Sequence, residues 1–271
     1  MALELPEPVL DDASDTLAAQ PDLRVAPRVG PHHATEQRRS QKTSERVALD
    51  IVHDIVAQGL RVGDRLPLEA EMVEQYQVSR ASLREALRLL EVQGLIRLKP
   101  GPGGGPVVGS VEAANLARTA SLYFHLGAST YGQLFETQVL LEPIAAQLAA
   151  QHPDRRAAMK PFTHPDAPST ESDYRHQTTD FHEAVYKLAA NPVLVLVTSA
   201  VTHIVSDHVI ATMDPVALRP SILDEHVAMA RAIAAGQPQK ARHLMAAHFQ
   251  AQHDFYREHW PARLLELIEW R

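Results

Sequence analysis

The stretch VSRASLREALRLL, residues 78–90, spaces three arginines four apart beside a row of leucines. Because an α-helix advances about 100° per residue, its apolar side chains fall in one sector of the helix: Leu83, Ala86, Leu87 and Leu90. The arginines fall in the neighbouring sector: Arg80, Arg84 and Arg88. Small or polar residues are predicted to lie opposite the leucines: Ala81, Ser82 and Glu85. One flank can therefore be buried while another offers cations to an anionic partner, although a solvated face explains any single arginine equally well.

Composition places the chain among soluble globular proteins. It has 271 residues, enough for two domains, with 45% hydrophobic and 22% charged residues. It has no cysteine, which excludes disulfides and thiolate chemistry and fits a reducing cytoplasm. No signal peptide opens the chain, and the apolar stretch VLVLV at residues 193–197 is far too short to span a membrane. We expect a cytoplasmic protein without a membrane partner.

The charge distribution is more informative than the net charge of −7. Residues 43–110 hold eight Lys/Arg and nine Asp/Glu. Residues 80–99, however, hold five Lys/Arg against two Asp/Glu, a local excess of three positive charges. An acidic protein can contact phosphates through such a local patch.

The residues around this stretch predict a small DNA-binding plan of helix, helix, turn, helix and hairpin. Ser79 is the predicted N-cap of the arginine helix, and Gly94 its C-cap. An apolar face marks the first helix: Val47, Ile51, Ile55 and Val56. The predicted segments are a helix at 43–59, a turn at 59–67, helices at 68–78 and 78–94, and two strands at 95–110. This order is that of a winged helix-turn-helix with a β-hairpin wing.

The segments on either side of this plan differ in character. Five prolines interrupt residues 1–42, so we expect a disordered N-terminal arm. Its end, RRSQK at 38–42, is either a DNA contact or a solvated linker. Residues 111–260 predict an antiparallel all-helical bundle with a Pro-rich loop at 152–170, followed by a short C-terminal tail helix within 261–271. The expected fold class is mainly α.

Two runs of this sequence resemble a known family. The run GLRVGDRLPLEAEMVEQYQVSRASLREALRLLEVQGLI, residues 59–96, resembles the DNA-binding domain of the GntR family of bacterial transcription regulators. Later helices resemble the FCD ligand-binding domain of its FadR subfamily: residues 140–150, 180–194 and 224–249. The resemblance covers about residues 43–257. It implies a ligand-responsive regulator, not an enzyme, that binds a near-palindromic double-stranded DNA operator as a homodimer, more commonly as a repressor.

The resemblance assigns the DNA contacts to the third helix and the wing. The N-terminal residues of that helix would enter the major groove, where arginine can read guanine and serine touches phosphate: Ser79, Arg80, Ser82 and Arg84. A phosphate contact and the wing tip would complete the set: Arg65, Lys99, Gly101 and Gly103. Ala70 stands where family members often carry another DNA-contacting arginine. A nucleotide cradle is the alternative for the glycines, but no GK[ST] follows them.

Three histidines in the helical domain are candidate metal ligands. His182, His226 and His248 each lie among apolar residues of a different predicted helix, which fits either a metal site or three separately satisfied core histidines. The resemblance implies a divalent metal, most readily zinc, at these positions. Thr178 stands where the family has an aspartate, and Asp180 is rotated by about 200° from it on the helix.

The effector-binding candidates are Gln138, Thr178 and His208. Gln138 stands where family members often have an arginine that clamps a carboxylate, so an organic acid and a longer acyl-type ligand both stay open as small-molecule effectors. His208 is either a fourth pocket group or a satisfied core histidine.

Two other functions compete with the regulator. An all-helical metal-dependent hydrolase is suggested by the His-Asp dipeptides at His53–Asp54 and His253–Asp254, but no HExxH or nucleophile elbow accompanies them. A DNA-binding protein with a vestigial pocket is the other alternative.

Overall fold

The computed structural model describes residues 34–101, 104–110 and 112–271, with side chains from residue 42 onward. The described residues up to 110 form a small helical head with a two-stranded hairpin, and those after 112 form a helical bundle. The head contains, in chain order, α1 (Ala34–Ala57), α2 (Glu69–Tyr76), α3 (Arg80–Val92), β1 (Ile96–Lys99) and β2 (Gly105–Val108).

The head packs around the apolar sector of α3. Leu83, Leu87 and Leu90 are at most 2% exposed. They share a core with residues of α1, α2 and the hairpin: Val47, Ile51, Met72, Ile96 and Val108. This burial confirms the predicted leucine face, and the core of the head packs against that side of α3. It is the reason why the arginine sector of α3 faces solvent.

Two features of α1 differ from the sequence-based expectation. Val56, predicted on the buried face, is 73% exposed. It follows Val47 by nine residues, which turns it about 180° away from the core. The helix also begins at Ala34 rather than near Thr43, since residues 34–42 contain no proline or glycine to break it. The rest of the predicted arm lies outside the described residues.

The ends of α3 are built as the sequence predicts. The Ser79 hydroxyl accepts a hydrogen bond from the Ser82 amide at 3.1 Å, which makes Ser79 the N-cap. Gly94 has a φ of +75° just after the helix, where a left-handed residue ends an α-helix most easily. Both ends of α3 are therefore fixed relative to the hairpin.

The hairpin forms a wing beside α3. Strands β1 and β2 are antiparallel, and Ile96 pairs with Val108. The segment before α2 adds a third edge, because the Leu66 amide donates to the Pro106 carbonyl at 3.0 Å and Arg65 forms a bridge with Val107. Buried Val107 and Val108 attach the wing to the core of the head.

The bundle contains eight α-helices among the described residues. They are α4 (Ala113–Leu126), α5 (Tyr131–Ala149), α6 (Arg155–Met159), α7 (Glu171–Ala189), α8 (Pro192–Val205), α9 (Arg219–Ala234), α10 (Pro238–His259) and α11 (Pro261–Leu265). A π-helical turn, Ser206–Ile210, extends α8, and 3₁₀ turns cover Lys160–Phe162 and Val216–Leu218.

We predicted a plain loop for the Pro-rich segment 152–170, and this prediction was wrong. The segment contains α6 and the following 3₁₀ turn, because the residues RRAAM after Asp154 favour helix. Met159 is fully buried and anchors the segment in the bundle core.

The helix Pro192–Ile210, formed by α8 and the π turn, contains the apolar stretch at residues 193–197 that we judged too short to span a membrane. An 18-residue window of this helix has a mean hydropathy of 1.7, enough in length and composition for a membrane span, and 39% of that window is buried. It packs against α4 and α5, however. Its buried residues belong to the bundle core: Ala200, Val201, Ile204 and Val205. We therefore interpret it as a core helix.

Helix α5 divides the bundle into two core clusters. Its C-terminal half packs with α7, α9 and α10 around Phe181, Met229 and Met245. Its N-terminal half packs with α4, α8 and α11 around Tyr131 and Tyr256. The first cluster surrounds the three candidate metal ligands.

We expect Leu87→Ala to destabilise the head by about 2–5 kcal/mol, because it leaves a cavity at a site that is 1% exposed. Urea unfolding followed by hydrogen exchange in α3 measures this loss. Val92→Ala, on the same helix but 59% exposed, is the matched control and should change the free energy of unfolding by no more than about 0.5 kcal/mol. Equal effects of the two variants would contradict the core assignment.

Candidate nucleic-acid interface and metal centre

The cationic face of α3 is presented to solvent. Arg80, Arg84 and Arg88 are all exposed. Arg84 Nε lies 2.9 Å from Glu69 Oε2 on α2, and the two side chains are 71% and 40% exposed. An exposed ion pair of this kind contributes only about 0–1 kcal/mol. A phosphate or a base edge can therefore displace Glu69 from Arg84 at little cost.

The two serines at the start of α3 have different surroundings. Ser79 is exposed, but Ser82 is 7% exposed, and its hydroxyl lies 3.0 Å from the Ser79 hydroxyl. Our prediction that Ser82 lies opposite the leucines was wrong. It precedes Ala86 by four residues and so shares its buried face. We therefore remove Ser82 from the proposed DNA contacts.

The wing places further cations beside α3. Arg65, Arg97 and Lys99 are exposed on the hairpin and its edge segment. Gly101 has a φ of +94°, which favours glycine at the turn. Gly103, also a predicted contact, lies outside the described residues. The head thus combines a cationic helix with a cationic wing, which is the arrangement of a DNA-reading surface.

The three candidate histidines meet in the bundle core. His182 lies on α7, His226 on α9 and His248 on α10. One ring nitrogen from each lies within 4.8 Å of the others. His226 and His248 are 4% and 2% exposed. Zinc binds imidazole nitrogens at about 2.0–2.1 Å, so three nitrogens this close can converge on one ion.

Burial keeps two of these imidazoles, those of His182 and His226, neutral. Burial lowers the pKa of His182 to about 3, and it also holds the pKa of His226 well below its usual value. A neutral imidazole has a nitrogen lone pair available to a metal ion. His182 Nδ1 and His226 Nε2 are buried without a hydrogen-bond partner among the described residues. A bound metal would satisfy these two nitrogens. Three separately satisfied core histidines would not leave such nitrogens unpaired.

Polar neighbours hold the third histidine. His248 Nδ1 lies 2.6 Å from Glu225 Oε2, and its Nε2 lies 2.7 Å from the side-chain nitrogen of Gln252. A carboxylate on one ring nitrogen orients a metal-binding histidine through the other. Neither Glu225 nor Gln252 was predicted, because their spacing carries no metal motif.

The other predicted pocket residues lie as follows. Thr178 Oγ1 is buried one turn before His182, whereas Asp180 is exposed, so Asp180 does not supply the missing carboxylate. His208 is separate from the three histidines. It lies in the π turn with Nδ1 3.1 Å from the Tyr131 hydroxyl, in the other core cluster. Of the two interpretations of His208, a fourth pocket group and a satisfied core histidine, these contacts favour the second.

The His-Asp dipeptides of the hydrolase alternative do not join the cluster either. His53 is exposed on α1, in the head. His253 stacks on Phe135 with ring centroids 5.8 Å apart, and Phe135 belongs to the other core cluster. Neither dipeptide therefore supplies an acid or a base to the three histidines.

A buried polar network beside the histidines was missed. Glu142 on α5 is fully buried, and its Oε1 accepts hydrogen bonds from the Tyr186 and Thr202 hydroxyls. The predicted residue Gln138 joins this network, because its Nε2 donates to Thr202 Oγ1 at 3.0 Å. The Tyr186 ring centroid lies 6.4 Å from that of His182. The one signal in the sequence was an acidic residue inside the apolar run LLEPIAA.

Burial raises the pKa of Glu142 from 4.5 to about 7. The folded protein therefore holds this proton between pH 4.5 and 7, where the unfolded chain has lost it. Stability should fall as pH rises through this range, by up to about 3 kcal/mol. Glu142→Gln should remove this part of the slope, since glutamine resembles the protonated acid.

The measurement is the free energy of unfolding at several pH values, for the wild type and for Glu142→Gln. Glu136→Gln, at an exposed position of the same helix, is the control and should keep the wild-type slope. A wild-type slope in Glu142→Gln as well would show that Glu142 is ionised in the folded protein at pH 5–7.

Comparison with known protein families agrees with both halves of the structure. The family described as "Bacterial regulatory proteins, gntR family" matches residues 43–104, and the FCD domain matches residues 133–251. The first match runs from within α1 to the residue before β2. The second spans the helices that carry the three histidines and Glu142.

Individual relatives give the same result. The chain is 28% identical over 208 residues to an uncharacterized HTH-type transcriptional regulator, YcbG, of Bacillus subtilis, covering 75% of this chain and 85% of that protein. It is 30% identical over 162 residues to the Uxu operon regulator of Haemophilus influenzae, covering 57% of each. A solved structure, Streptococcus agalactiae GntR, matches with a TM-score of 0.58 and 22% identity over 78% of this chain and 99% of that one. At this identity the solved structure supports the fold alone.

Proposed function

Because the chain belongs to the GntR family of bacterial transcription regulators and carries an FCD domain, we propose that it represses transcription from a near-palindromic operator and releases the operator when an effector binds the bundle. It is a DNA-binding regulator rather than an enzyme, as its family and relatives indicate. The operator, the sign of regulation, the homodimer and the effector site are our proposals.

The exposed arginine row on a helix whose opposite face is buried is the observation that supports the proposal most strongly. In a winged helix-turn-helix the N-terminal residues of the recognition helix reach the base edges of the major groove. Arg80 and Arg84 are exposed in that position on α3. Arg65, Lys99 and Gly101 fit contacts to the sugar-phosphate backbone, which position the helix.

A homodimer would bring two such heads to two half-sites. Several apolar side chains on α5 and α8 are exposed in the single chain, and a partner subunit could cover them: Leu140, Ile144, Val193 and Val197. We propose that the dimer forms through this bundle surface, and that the dimer works in the cytoplasm, where the operator is.

The histidine cluster is the proposed effector site. The three clustered imidazoles fit a divalent cation, with zinc the best match to an all-nitrogen set. The ion would supply a Lewis-acidic anchor for an oxygen of the effector. Thr178, Gln138 and the Glu142 network would surround that effector and select its shape. Ligand binding can shift the heads only if the two arrangements of the heads differ in effector affinity.

Genomic footprinting of DNA bound by the purified full chain tests this function. We expect protection of sites with two symmetric half-sites near a small number of genes. Calorimetry then tests the effector site, with the metabolites on which the products of those genes act, in the presence and absence of EDTA. Specific footprints together with no metabolite that binds would indicate a DNA-binding protein with a vestigial pocket. The absence of specific footprints would contradict the proposed regulator function.

A further inference from the structure

A cavity lies in the half of the bundle that α4 and α8 help to form, away from the histidine cluster. It has a volume of about 250 Å³ and lies between α4, α8, the π turn and the last residue of the chain. The polar residues that line it include Asn115, Arg118, His203, Asp207, His208 and Arg271. The three clustered histidines do not line it. A cavity of this size can hold a ligand of about ten non-hydrogen atoms, smaller than a drug-sized molecule.

The lining is suited to a small carboxylate. Arg118 and Arg271 both contribute a guanidinium, the group whose fork of N–H donors matches a carboxylate best. Arg271 is exposed and pairs with exposed Glu269 at 2.9 Å, a contact that a ligand can displace. Asp207 is the acidic residue of the lining, and its Oδ2 lies 3.8 Å from His203 Nε2.

Arg118 also connects this cavity with the head. Its Nη2 donates a hydrogen bond to the carbonyl of Val92, the last residue of α3. Asn115, about one turn earlier on α4, packs against Gly94, the second residue after α3, because a Cβ at Gly94 would lie 1.9 Å from Asn115 Nδ2. One wall of the cavity is thus in direct contact with the C-terminal end of the arginine helix.

We propose that this cavity is a second ligand site, for a small dicarboxylate, and that its occupation loosens the C-terminal end of α3. A carboxylate forms a charge-assisted bond with Arg118 that is stronger than the bond to the neutral Val92 carbonyl. The ligand therefore draws the guanidinium away from α3 and weakens the hold of α4 on the head. If the ligand weakens DNA binding through this contact, linkage requires that bound DNA weakens dicarboxylate binding by the same factor.

Calorimetry of the full chain with succinate as the probe tests the binding site. We expect Arg118→Gln to weaken succinate binding at least tenfold. Arg156→Gln, at an exposed position on α6, should bind like the wild type. Succinate binding by Arg118→Gln with the wild-type affinity would overturn the proposal, as would no binding by the wild type.

Hydrogen exchange of peptides covering residues 86–94 tests the coupling without DNA, so its failure is distinguishable from failure of the proposed operator. Saturating succinate should raise exchange at the end of α3 at least threefold in the wild type. Arg118→Gln should exchange faster without succinate and should not respond to it. Unchanged exchange in the wild type, or a succinate response in Arg118→Gln, would overturn the coupling.

Discussion

Replacing Arg80 and Arg84 together by alanine should abolish specific operator binding while the chain folds normally. Each bidentate contact between arginine and guanine contributes about 1–3 kcal/mol of discrimination, or roughly 5- to 150-fold in affinity. In a homodimer each substitution removes two contacts, so the double variant should bind its operator no better than unrelated DNA. Both side chains are exposed, and neither contributes to the core of the head.

A gel-shift titration of the footprinted operator measures this loss, and thermal unfolding checks the fold. Arg175→Ala is the matched control, because Arg175 is also an exposed arginine paired with a glutamate, Glu171, at 2.8 Å. It lies on α7, in the bundle, and its loss should leave operator affinity unchanged. An operator complex of wild-type affinity in the double variant would refute α3 as the recognition helix.

The second large effect concerns the histidine cluster. Zinc at 100 times its dissociation constant should stabilise the wild type by about 2.7 kcal/mol and raise its Tm by roughly 5–10 °C. His226→Ala should lose this stabilisation, since two nitrogens do not make a closed site. His226 Nε2 is the informative atom because it is buried without a hydrogen-bond partner in the described structure.

Thermal unfolding with zinc, and again with EDTA, measures the shift. His253→Ala is the matched control, because this half-buried histidine stacks on Phe135 outside the cluster and should keep the full zinc response. Thr178→Asp, which adds a carboxylate one turn before His182, should tighten zinc at least tenfold. A wild type that zinc does not stabilise would contradict the metal site, and so would an unchanged response in His226→Ala.

The head was predictable from its sequence because local patterns determine it. The leucine sector of α3, its cap at Ser79 and the glycine at its end depend on residues a few positions apart. The errors at Ser82 and Val56 have a common origin. Both residues lie near the edge of an apolar sector or beyond it, where only the packing of the neighbouring helices decides which side chains are covered.

The site in the bundle was less predictable because it depends on contacts between distant segments. Three histidines on apolar faces indicated an inward direction, but their convergence required α7, α9 and α10 to meet. His208 satisfied the same pattern and lies in the other core cluster. Glu142 acquires its raised pKa from burial by helices that are distant in sequence, and the Tyr186 and Thr202 hydroxyls that bond to it follow it by more than forty residues. No local pattern carries that information.

A double-mutant cycle between Arg80 and a guanine of the half-site tests the central claim most directly. Replacing that guanine by 7-deazaguanine removes the N7 acceptor and should cost the wild type about 1–3 kcal/mol of operator binding. Arg80→Ala should lose little or nothing further on the same DNA, because the contact is already absent. The contradicting result is that the modified base weakens operator binding equally in the wild type, Arg80→Ala and Arg84→Ala. If this holds at every guanine of the half-site, then α3 does not read the operator.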